Sequence, residues 1–380
     1  MTDKTVALNA LLGEIIHEFA IYGEFKGAEP FGPGHINSTF RSVWDQAGIK
    51  LRYTHQRIND QIFVQPDEVM ENIARVTTHL RDKLYCTGSD DASRRTLTIV
   101  PSRDNKLWVR DAEGGWWRTY LFVEKSHTLE LTASPDDARF LGESVARFQG
   151  QLSDLGGERL HETIPGFHDM EKRYRRFYEA LSKDSYNRAK DVKTEIAFMR
   201  ENEERGAVLI RSLRSGTLPE RICHNDTKIN NILIDDESSQ ALCVIDLDTV
   251  MPGTILFDLG DLIRTVTNRA AEDERDLSKA EFDLVYFDAL LTGYLSVALE
   301  FLVSEELALL CESGRNIIQI MGLRFLTDYL EGDRYYRISR PDHNLDRCRT
   351  QIALIQSMDS KWEKALTIAR EIQTKGAKRS

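Results

Sequence analysis

The fold is decided by the stretch ICHNDTKINNILI, residues 222–234, together with VIDLD, residues 244–248. The first stretch contains the pattern H-x-D-x-x-x-x-N, formed by His224, Asp226 and Asn231. The second places acidic residues directly after a short apolar run, as expected where a strand ends. A turn closed by Asp and Asn side chains could also produce the first pattern. Such a turn, however, requires neither the histidine nor a second acidic strand end.

The spacing of these polar residues suits phosphoryl transfer. This chemistry needs a carboxylate beside the attacking hydroxyl, oxygen ligands that hold Mg²⁺ on the phosphates, and a cation near the transferred group. We expect Asp226 to be the carboxylate, and Asn231 and Asp246 to be magnesium ligands. Lys228 would balance charge on the transferred group. Asp248 is either a further metal ligand or a solvated carboxylate.

Length and charge limit the possible classes of function. The chain has 380 residues, of which 41% are hydrophobic and 29% are charged, a balance typical of a globular protein with a large core. It carries 50 Lys and Arg against 61 Asp and Glu, a net charge of −11. Because nucleic acids and anionic membranes need a basic face, neither is expected as a partner. The five cysteines are widely spaced and no apolar run is long enough for a membrane span, so we expect a cytoplasmic protein.

The order of predicted elements divides the chain into two lobes. The first 125 residues contain runs of β-branched and aromatic residues separated by short Gly, Asn and Asp clusters, with one helix that begins at Pro66. Short connections of this kind imply antiparallel pairing. Later in the chain the apolar residues recur at helical spacing, apart from the segment 221–264. We therefore predict an α+β fold with an N-terminal lobe, residues 1–125, and a helical C-terminal lobe, residues 126–380.

The chain resembles the aminoglycoside phosphotransferase and choline kinase family of small-molecule kinases, and within that family it is similar to the N-acetylhexosamine 1-kinases. The resemblance implies a bilobal fold of the protein-kinase type, with ATP and Mg²⁺ as cofactors. Besides the two stretches above, it rests on segments spread along the chain: GPGHIN at 32–37, QRIN at 56–59, WRTYLFVE at 117–124, IPGFHD at 164–169 and LRFLTDYLEGD at 323–333.

The resemblance implies roles for residues on the nucleotide side. The segment from Gly32 through Gly34 to Asn37 would form the loop over the nucleotide phosphates, where glycines let backbone N–H groups approach anionic oxygens. The loop lacks a third glycine, so an ordinary hairpin turn is the alternative. Val123 and Glu124 would lie in the hinge between the lobes, whose backbone meets adenine.

A strand lysine normally contacts the phosphates in this fold, and the sequence offers no obvious candidate for it. Arg57 is the expected replacement, paired with Glu71 on the following helix, with a surface ion pair as the alternative. The resemblance also makes Asp226 the catalytic carboxylate, with Asn231 and Asp246 as magnesium ligands. The chain contains neither the DFG nor the APE sequence of protein kinases, which disfavours a protein substrate.

The acceptor is expected to bind in the helical lobe, near the segment 323–336. Small-molecule sites combine an apolar or aromatic surface with a few polar groups, and Arg324, Asp328 and Tyr335 offer both. Since Arg324 and Asp328 are four residues apart on one helix face, an ordinary salt bridge is the alternative. Tyr335 could instead be a core or rim aromatic residue. His35, in the phosphate loop, could reach the acceptor or only stabilise the turn.

These expectations combine into one function. As the resemblance implies, the chain would transfer the γ-phosphoryl group of ATP to the anomeric hydroxyl of N-acetylglucosamine or N-acetylgalactosamine, as a monomer or weak homodimer. A kinase of the same fold with another acceptor, such as another sugar, an amino alcohol or an aminoglycoside, is the main alternative. The net charge of −10 on residues 126–380 would suit a cationic acceptor. A non-catalytic nucleotide-binding pseudokinase and a metallohydrolase are the remaining alternatives.

Overall fold

The computed structural model describes residues 12–32, 36–129 and 131–377. Gly34 and His35, which belong to the predicted phosphate loop, lie outside the described residues. Across the described ranges, no helix combines the length and the apolar character that crossing a membrane requires.

The first of two compact units comprises residues 1–127, 155–165 and 233–251. Its main sheet is antiparallel and has the strand order β1-β2-β3-β6-β4, with β5 also paired to β6; a smaller sheet has the order β10-β9-β7. The strands are β1 Glu24–Pro30, β2 Ser38–Gln46, β3 Ile49–Ile58, β4 Ile99–Val100, β5 Val109–Arg110, β6 Trp116–Leu121, β7 Ser126–Thr128, β9 Ile232–Asp235 and β10 Ala241–Val244, and β8 follows below with the second unit.

The long helix of this unit is α1, Pro66–Cys86, and it confirms the helix predicted from Pro66. Proline stands at its start, acidic residues occupy its first turn and Lys83 its last turn, which suits the N–H groups exposed at one helix end and the carbonyls at the other. Its buried face carries Val69, Ile73 and Val76 at spacings of four and three. A short helix, α2, covers Ala92–Arg95.

The main sheet presents two different faces because side chains alternate along each strand. One face contributes Phe40, Trp44, Tyr53 and Trp117 to an apolar core. Leu12, Ile15 and Ile16 of a short helical segment also belong to this core. The opposite face carries polar side chains, and on it Gln56 of β3 lies directly across from Arg118 of β6. This buried polar face is where the nucleotide-side residues of the unit gather.

The second unit comprises residues 128–154, 166–232 and 252–380, and it is mostly helical. Its central helix, Leu310–Leu330, packs against several other helices of the unit, and nearly all of its side chains are buried. The helices are α3 Pro135–Leu152, α4 Met170–Lys183, α5 Lys193–Glu201, α6 Glu203–Gly206, α7 Val208–Arg214, α8 Ile255–Val266, α9 Leu284–Ala298, α10 Ser304–Ala308, the central α11 Leu310–Leu330, α12 His343–Ser360 and α13 Trp362–Ala377; the short strands β8 Arg221–Cys223 and β11 Met251–Gly253 pair with each other.

The division into units differs from the predicted boundary at residues 125 and 126 in two segments, 155–165 and 233–251. The side chain of Asn72 donates hydrogen bonds of 2.9 Å to the carbonyls of His161 and Val250. Thr163 donates a bond of 2.7 Å to the carbonyl of Asp248. These contacts attach both segments to helix α1 and to each other. Asp246 and Asp248, which we expected in the C-terminal lobe, are therefore part of the first unit.

Candidate active site

In the second unit, the loop after β8 brings three predicted site residues together. The Nδ2 atom of Asn231 donates to the carbonyl of Asp226 at 2.8 Å and to its Oδ2 at 3.0 Å. The Nζ atom of Lys228 lies 3.0 Å from the same Oδ2. Asn231 thus closes the loop onto Asp226 through its amide nitrogen, and its Oδ1 is the atom that could bind a metal.

The backbone of this loop is held by Asp258 of helix α8. The N–H groups of His224 and Asn225 donate to the two carboxylate oxygens at 3.0 and 2.6 Å, and the hydroxyl of Thr227 donates to the carbonyl of Asp258 at 2.6 Å. Gln149 donates a further bond of 3.1 Å to the carboxylate. Burial raises the pKa of Asp258 above its ordinary value. These bonds support Asn225 in the left-handed region, with φ at 66°, a conformation that asparagine tolerates.

The carboxyl group of Asp226 is held in its ionised form. Burial would raise its pKa, but Lys228, followed by His224, has the larger combined effect, so the pKa lies below its ordinary value. The side chain is 27% exposed, so its carboxylate can be reached from outside the loop. An ionised, accessible carboxylate can orient a hydroxyl group and accept its proton.

His168 is a residue of this loop's surroundings that sequence reasoning missed. Its Nε2 atom lies 2.9 Å from the carbonyl of Asn225, the residue before Asp226. Burial lowers the pKa of His168 to about 3, so the imidazole is neutral and Nε2 donates to the carbonyl. The neighbouring Asp169 caps helix α4 by accepting the N–H of Lys172 at 3.0 Å. The segment 164–169 belongs to the resemblance, which is the signal that could have singled out His168.

A pocket in the same unit contains the predicted acceptor residues. Three arginines and two tyrosines dominate its wall, which is lined by Arg173, Arg176, Arg324, Thr327, Asp328, Glu331, Tyr335 and Tyr336. Burial, followed by Arg324, lowers the pKa of Arg173 to about 10, which still leaves it cationic at neutral pH. Arg176 and Glu331 neutralise each other through a bond of 2.6 Å. The pocket therefore has a positive character.

Arg324 is surrounded by aromatic rings. Its guanidinium carbon lies 5.0 Å from the ring centre of Phe167, 5.7 Å from that of Tyr335 and 5.4 Å from that of Tyr336. Burial would lower its pKa, but the two phenols and Asp226 keep the pKa above its ordinary value. In the part of the chain that the structure describes, no carboxylate forms an ion pair with Arg324. The salt bridge of Arg324 with Asp328, given above as the alternative to a substrate contact, is therefore not formed.

Asp328 organises the pocket wall instead of pointing at a substrate. Its carboxylate accepts the three backbone N–H groups of residues 334–336, at 2.9, 2.8 and 3.0 Å. The Nδ2 atom of Asn344 adds a fourth bond of 2.9 Å. With four donors on two oxygens, the carboxylate is engaged, which argues against the predicted contact with a substrate. Asp328 thereby places the ring of Tyr335 beside Arg324.

On the nucleotide side, in the first unit, Asp248 is paired within the protein. Both Nη atoms of Arg118 donate to its carboxylate, one of them at 2.9 Å. The Nδ2 atom of Asn37 donates to the same group at 2.5 Å. Since a buried guanidinium and an amide already use both oxygens, the predicted role of Asp248 as a metal ligand is not supported. Asp246 lies at the end of β10, half-buried and with φ at 62°.

The predicted pair of Arg57 with Glu71 is wrong. Arg57 approaches Asp111 at 3.3 Å and Glu113 at 3.2 Å, while Glu71 lies 3.1 Å from the ring of His161. The reason is the alternation of side chains along β3, which turns Arg57 away from the face that carries Gln56. Arg57, 39% exposed, is thus paired with the buried Asp111 and the exposed Glu113, and its role towards the nucleotide stays a prediction.

Two arginines hold Glu124, one of the two predicted hinge residues. The carboxylate of Glu124 accepts a bond of 2.7 Å from Nε of Arg52, and its carbonyl accepts one of 2.9 Å from Arg94. The carbonyl of Val123 accepts the hydroxyl of Ser126 at 2.8 Å. Their role towards adenine stays a prediction. Gly32 has φ at 77°, the left-handed conformation that favours glycine in a tight loop.

The predicted metal ligands that remain are Asn231, in the second unit, and Asp246, in the first. Among the described residues, no group of three or more His, Cys, Asp or Glu side chains is arranged to hold a metal ion. Mg²⁺ usually keeps several waters and takes only one or two protein carboxylates together with substrate phosphates. The donor types available at Asn231 and Asp246, an amide oxygen and a carboxylate, are among those Mg²⁺ accepts.

Comparison with known proteins gives one family and several solved structures of a similar fold. The model of the phosphotransferase enzyme family matches residues 27–299. The chain is similar to an aminoglycoside phosphotransferase from Alicyclobacillus acidocaldarius, with 13% identity, 96% of each chain covered and a TM-score of 0.54. It is also similar to a spectinomycin phosphotransferase solved with ADP and spectinomycin, with 14% identity, 92% of this chain and 97% of the other covered, and a TM-score of 0.55.

A third similar structure is the ethanolamine kinase of Plasmodium vivax, with 13% identity, 85% of this chain and 81% of the other covered, and a TM-score of 0.55. Identities this low show a shared fold and leave the acceptor open. Together with the antiparallel sheet and the helical second unit, they confirm the predicted α+β fold of the protein-kinase type.

Proposed function

Since the chain belongs to the phosphotransferase enzyme family, we propose that it is an ATP-dependent kinase that phosphorylates the anomeric hydroxyl of an N-acetylhexosamine. N-acetylglucosamine and N-acetylgalactosamine are the acceptors we expect, and the product is the sugar 1-phosphate. The observation that carries the proposal is the constellation of Asp226 with Lys228 and Asn231, each within 3.0 Å of the Asp226 carboxylate. A pseudokinase would have no use for this arrangement.

In this proposal Asp226 orients the acceptor hydroxyl and accepts its proton as the oxygen attacks the γ-phosphorus. An anomeric hydroxyl is more acidic than an ordinary alcohol, so a carboxylate with a lowered pKa is a sufficient base. Phosphoryl transfer asks little of the base and much of positioning and charge neutralisation. Lys228, which pairs with Asp226 in the free protein, is placed to move onto the transferred group.

Mg²⁺ and ATP are the cofactors of the proposal. The amide oxygen of Asn231 and the carboxylate of Asp246 would hold the metal, which neutralises charge on the phosphates. Asp248 has no part in this, because Arg118 and Asn37 occupy its carboxylate. The loop from Gly32 to Asn37 would cover the phosphates with its backbone N–H groups.

The charge of the acceptor pocket favours a neutral sugar over a cationic acceptor. Of its two carboxylates, Asp328 is engaged by four donors and Glu331 is neutralised by Arg176. Arg324 is cationic and has no carboxylate partner among the described residues. An amino alcohol or a polycationic aminoglycoside would be repelled here, even though the net charge of residues 126–380 is −10. Tyr335, 41% exposed, offers an aromatic face to a sugar ring.

An ATP-consumption screen tests the proposal. The purified protein is incubated with Mg–ATP and, separately, with N-acetylglucosamine, N-acetylgalactosamine, glucose, galactose, choline, ethanolamine and kanamycin at equal concentrations. We expect turnover on the two N-acetylhexosamines, with phosphorus NMR showing phosphate at carbon 1. Preferred turnover on choline, ethanolamine or kanamycin would overturn the argument from pocket charge. ATP use on none of the acceptors would favour the pseudokinase or hydrolase alternatives.

A further inference from the structure

A fully buried ion pair lies on the polar face of the main sheet of the first unit. Arg118 and Asp248 are only 1% and 2% exposed, and they are 130 residues apart in sequence. Both Nη atoms of the arginine bind the carboxylate, and its Nε donates to Gln56 at 2.9 Å. A bidentate contact of this kind fixes the orientation of the two side chains as well as the distance between them.

Asn37 connects this pair to the predicted phosphate loop. Its Nδ2 atom donates to Asp248 at 2.5 Å, and its Oδ1 accepts the N–H of Asn59 at 2.9 Å. Asn37 is the last residue of that loop and immediately precedes β2. One end of the loop is therefore tied by a buried hydrogen bond to a carboxylate on the segment 244–248.

The same arginine also interacts electrostatically with Asp246, the proposed metal ligand. Burial would lower the pKa of Arg118, but Asp248, followed by Tyr120 and then by Asp246, keeps the pKa above its ordinary value. Asp246 is two residues before Asp248, and its backbone is in the left-handed region. A shift of Asp248 would be passed on to Asp246 through this short, sharply turned segment.

We propose that Arg118 and Asp248 are positioning residues, which hold Asn37, the described end of the predicted phosphate loop, at a set position relative to Asp246. The proposal rests on the proposed use of Mg–ATP. A buried ion pair is weak support for stability, since a well-packed apolar pair of similar volume is often as good. Its hydrogen bond to Asn37 and its proximity to Asp246 give the pair a purpose that an apolar pair cannot serve.

Two changes separate positioning from folding. Asn37→Ala removes the link to the loop and leaves the ion pair intact. The double variant Arg118→Met, Asp248→Leu replaces the ion pair by apolar side chains, so that no buried charge is left unpaired. The control is Thr119→Val. Thr119 follows Arg118 in β6 and faces the opposite side of the sheet, where it forms a buried hydrogen bond of 2.8 Å with His55 of β3.

The experiment measures binding of Mg–ADP by calorimetry, the KM values for Mg–ATP and for the acceptor, and the melting temperature without nucleotide. We expect both test variants to bind Mg–ADP roughly 10–100-fold more weakly, the range found when groups that orient a metal ligand are removed. Their KM for the acceptor should stay within about threefold, and the control should bind Mg–ADP like the wild type.

Each outcome decides between the two proposals. Weakened nucleotide binding in Asn37→Ala, with a melting temperature close to that of the control, supports the positioning role. Unchanged Mg–ADP binding in both test variants overturns it, because the network would then serve folding alone; Asn37→Ala keeps this result accessible if the double variant does not fold. If the wild-type protein itself fails to bind Mg–ADP, the proposed function fails first, and the positioning role with it.

Discussion

Replacing Asp258 by asparagine should slow phosphoryl transfer although Asp258 contacts no substrate. Its two carboxylate oxygens accept the N–H groups of His224 and Asn225, at 3.0 and 2.6 Å. An asparagine offers one oxygen and one NH₂ group in the same place, so one of these N–H groups would face another donor. Because the two N–H groups directly precede Asp226, the substitution should displace the catalytic carboxylate.

The size of the effect follows from the hydrogen bonds. A buried N–H group left without an acceptor costs about 1–3 kcal/mol, so the free energy of unfolding should fall by about that amount. If the loop relieves this cost by moving Asp226 out of position, the activation free energy of phosphoryl transfer rises by a similar amount. Since each 1.36 kcal/mol is a factor of ten, kcat should fall roughly 5–150-fold.

Urea unfolding and steady-state kinetics with the preferred acceptor measure the two quantities. The matched control is Tyr174→Phe, which removes a buried hydroxyl that donates to the carbonyl of Met199 at 2.6 Å. It should lose a similar free energy of unfolding and keep its kcat. If Asp258→Asn is destabilised but turns over as fast as this control, the hydrogen bonds of Asp258 do not position Asp226 and the reasoning is refuted.

Three further predictions concern single side chains. Asp226→Asn should lower kcat by roughly 10²–10⁴-fold while calorimetry shows Mg–ADP affinity within a few-fold of the wild type; turnover near the wild-type rate would remove Asp226 from the chemistry. Arg324→Leu should raise the acceptor KM roughly 10–150-fold, which corresponds to about 1.5–3 kcal/mol, the value of a hydrogen bond to a charged group, with the KM for ATP unchanged; equal effects on both KM values would contradict a pocket role. Burial lowers the pKa of His55 and of His168 to about 3. Both pKa values lie below the unfolded value of 6.5, so the unfolded chain binds more protons, and stability should be lost as pH falls from about 6.5 towards 3 by up to about 1.4 kcal/mol per pH unit for each histidine. Unfolding of His55→Gln between pH 7 and 5 should show a shallower loss, and an unchanged slope would contradict the assignment.

The local features of the site were predictable from sequence. Asp226, Lys228 and Asn231 lie within six residues, so a single tight loop is enough to bring their side chains within 3.0 Å. Helix α1 was predictable for a similar reason, because its apolar spacing and its end residues act over one or two turns.

The errors at the site all concern charged side chains whose partners lie outside their own helix or strand. Arg57 was predicted to pair with Glu71, and Asp248 was predicted to be either a metal ligand or a solvated carboxylate. Asp328 was expected to meet substrate or Arg324, and in fact its four donors come from residues 334–336 and Asn344. No pattern along the chain indicates which residue such a side chain will pair with or how deeply it is buried.

The sequence by itself determined the elements, the family of the fold and the chemistry of the loop at 224–231, because helical spacing, strand alternation and a closed loop depend on near neighbours. Only the tertiary structure decided which partners the charged side chains have and how deeply they are buried. Arg118 lies inside the segment 117–124, one of those that carry the resemblance, and nothing in the sequence singles it out, yet it pairs with Asp248 across 130 residues. The cost of burying a charge makes such a partner obligatory, and packing alone selects which residue it is.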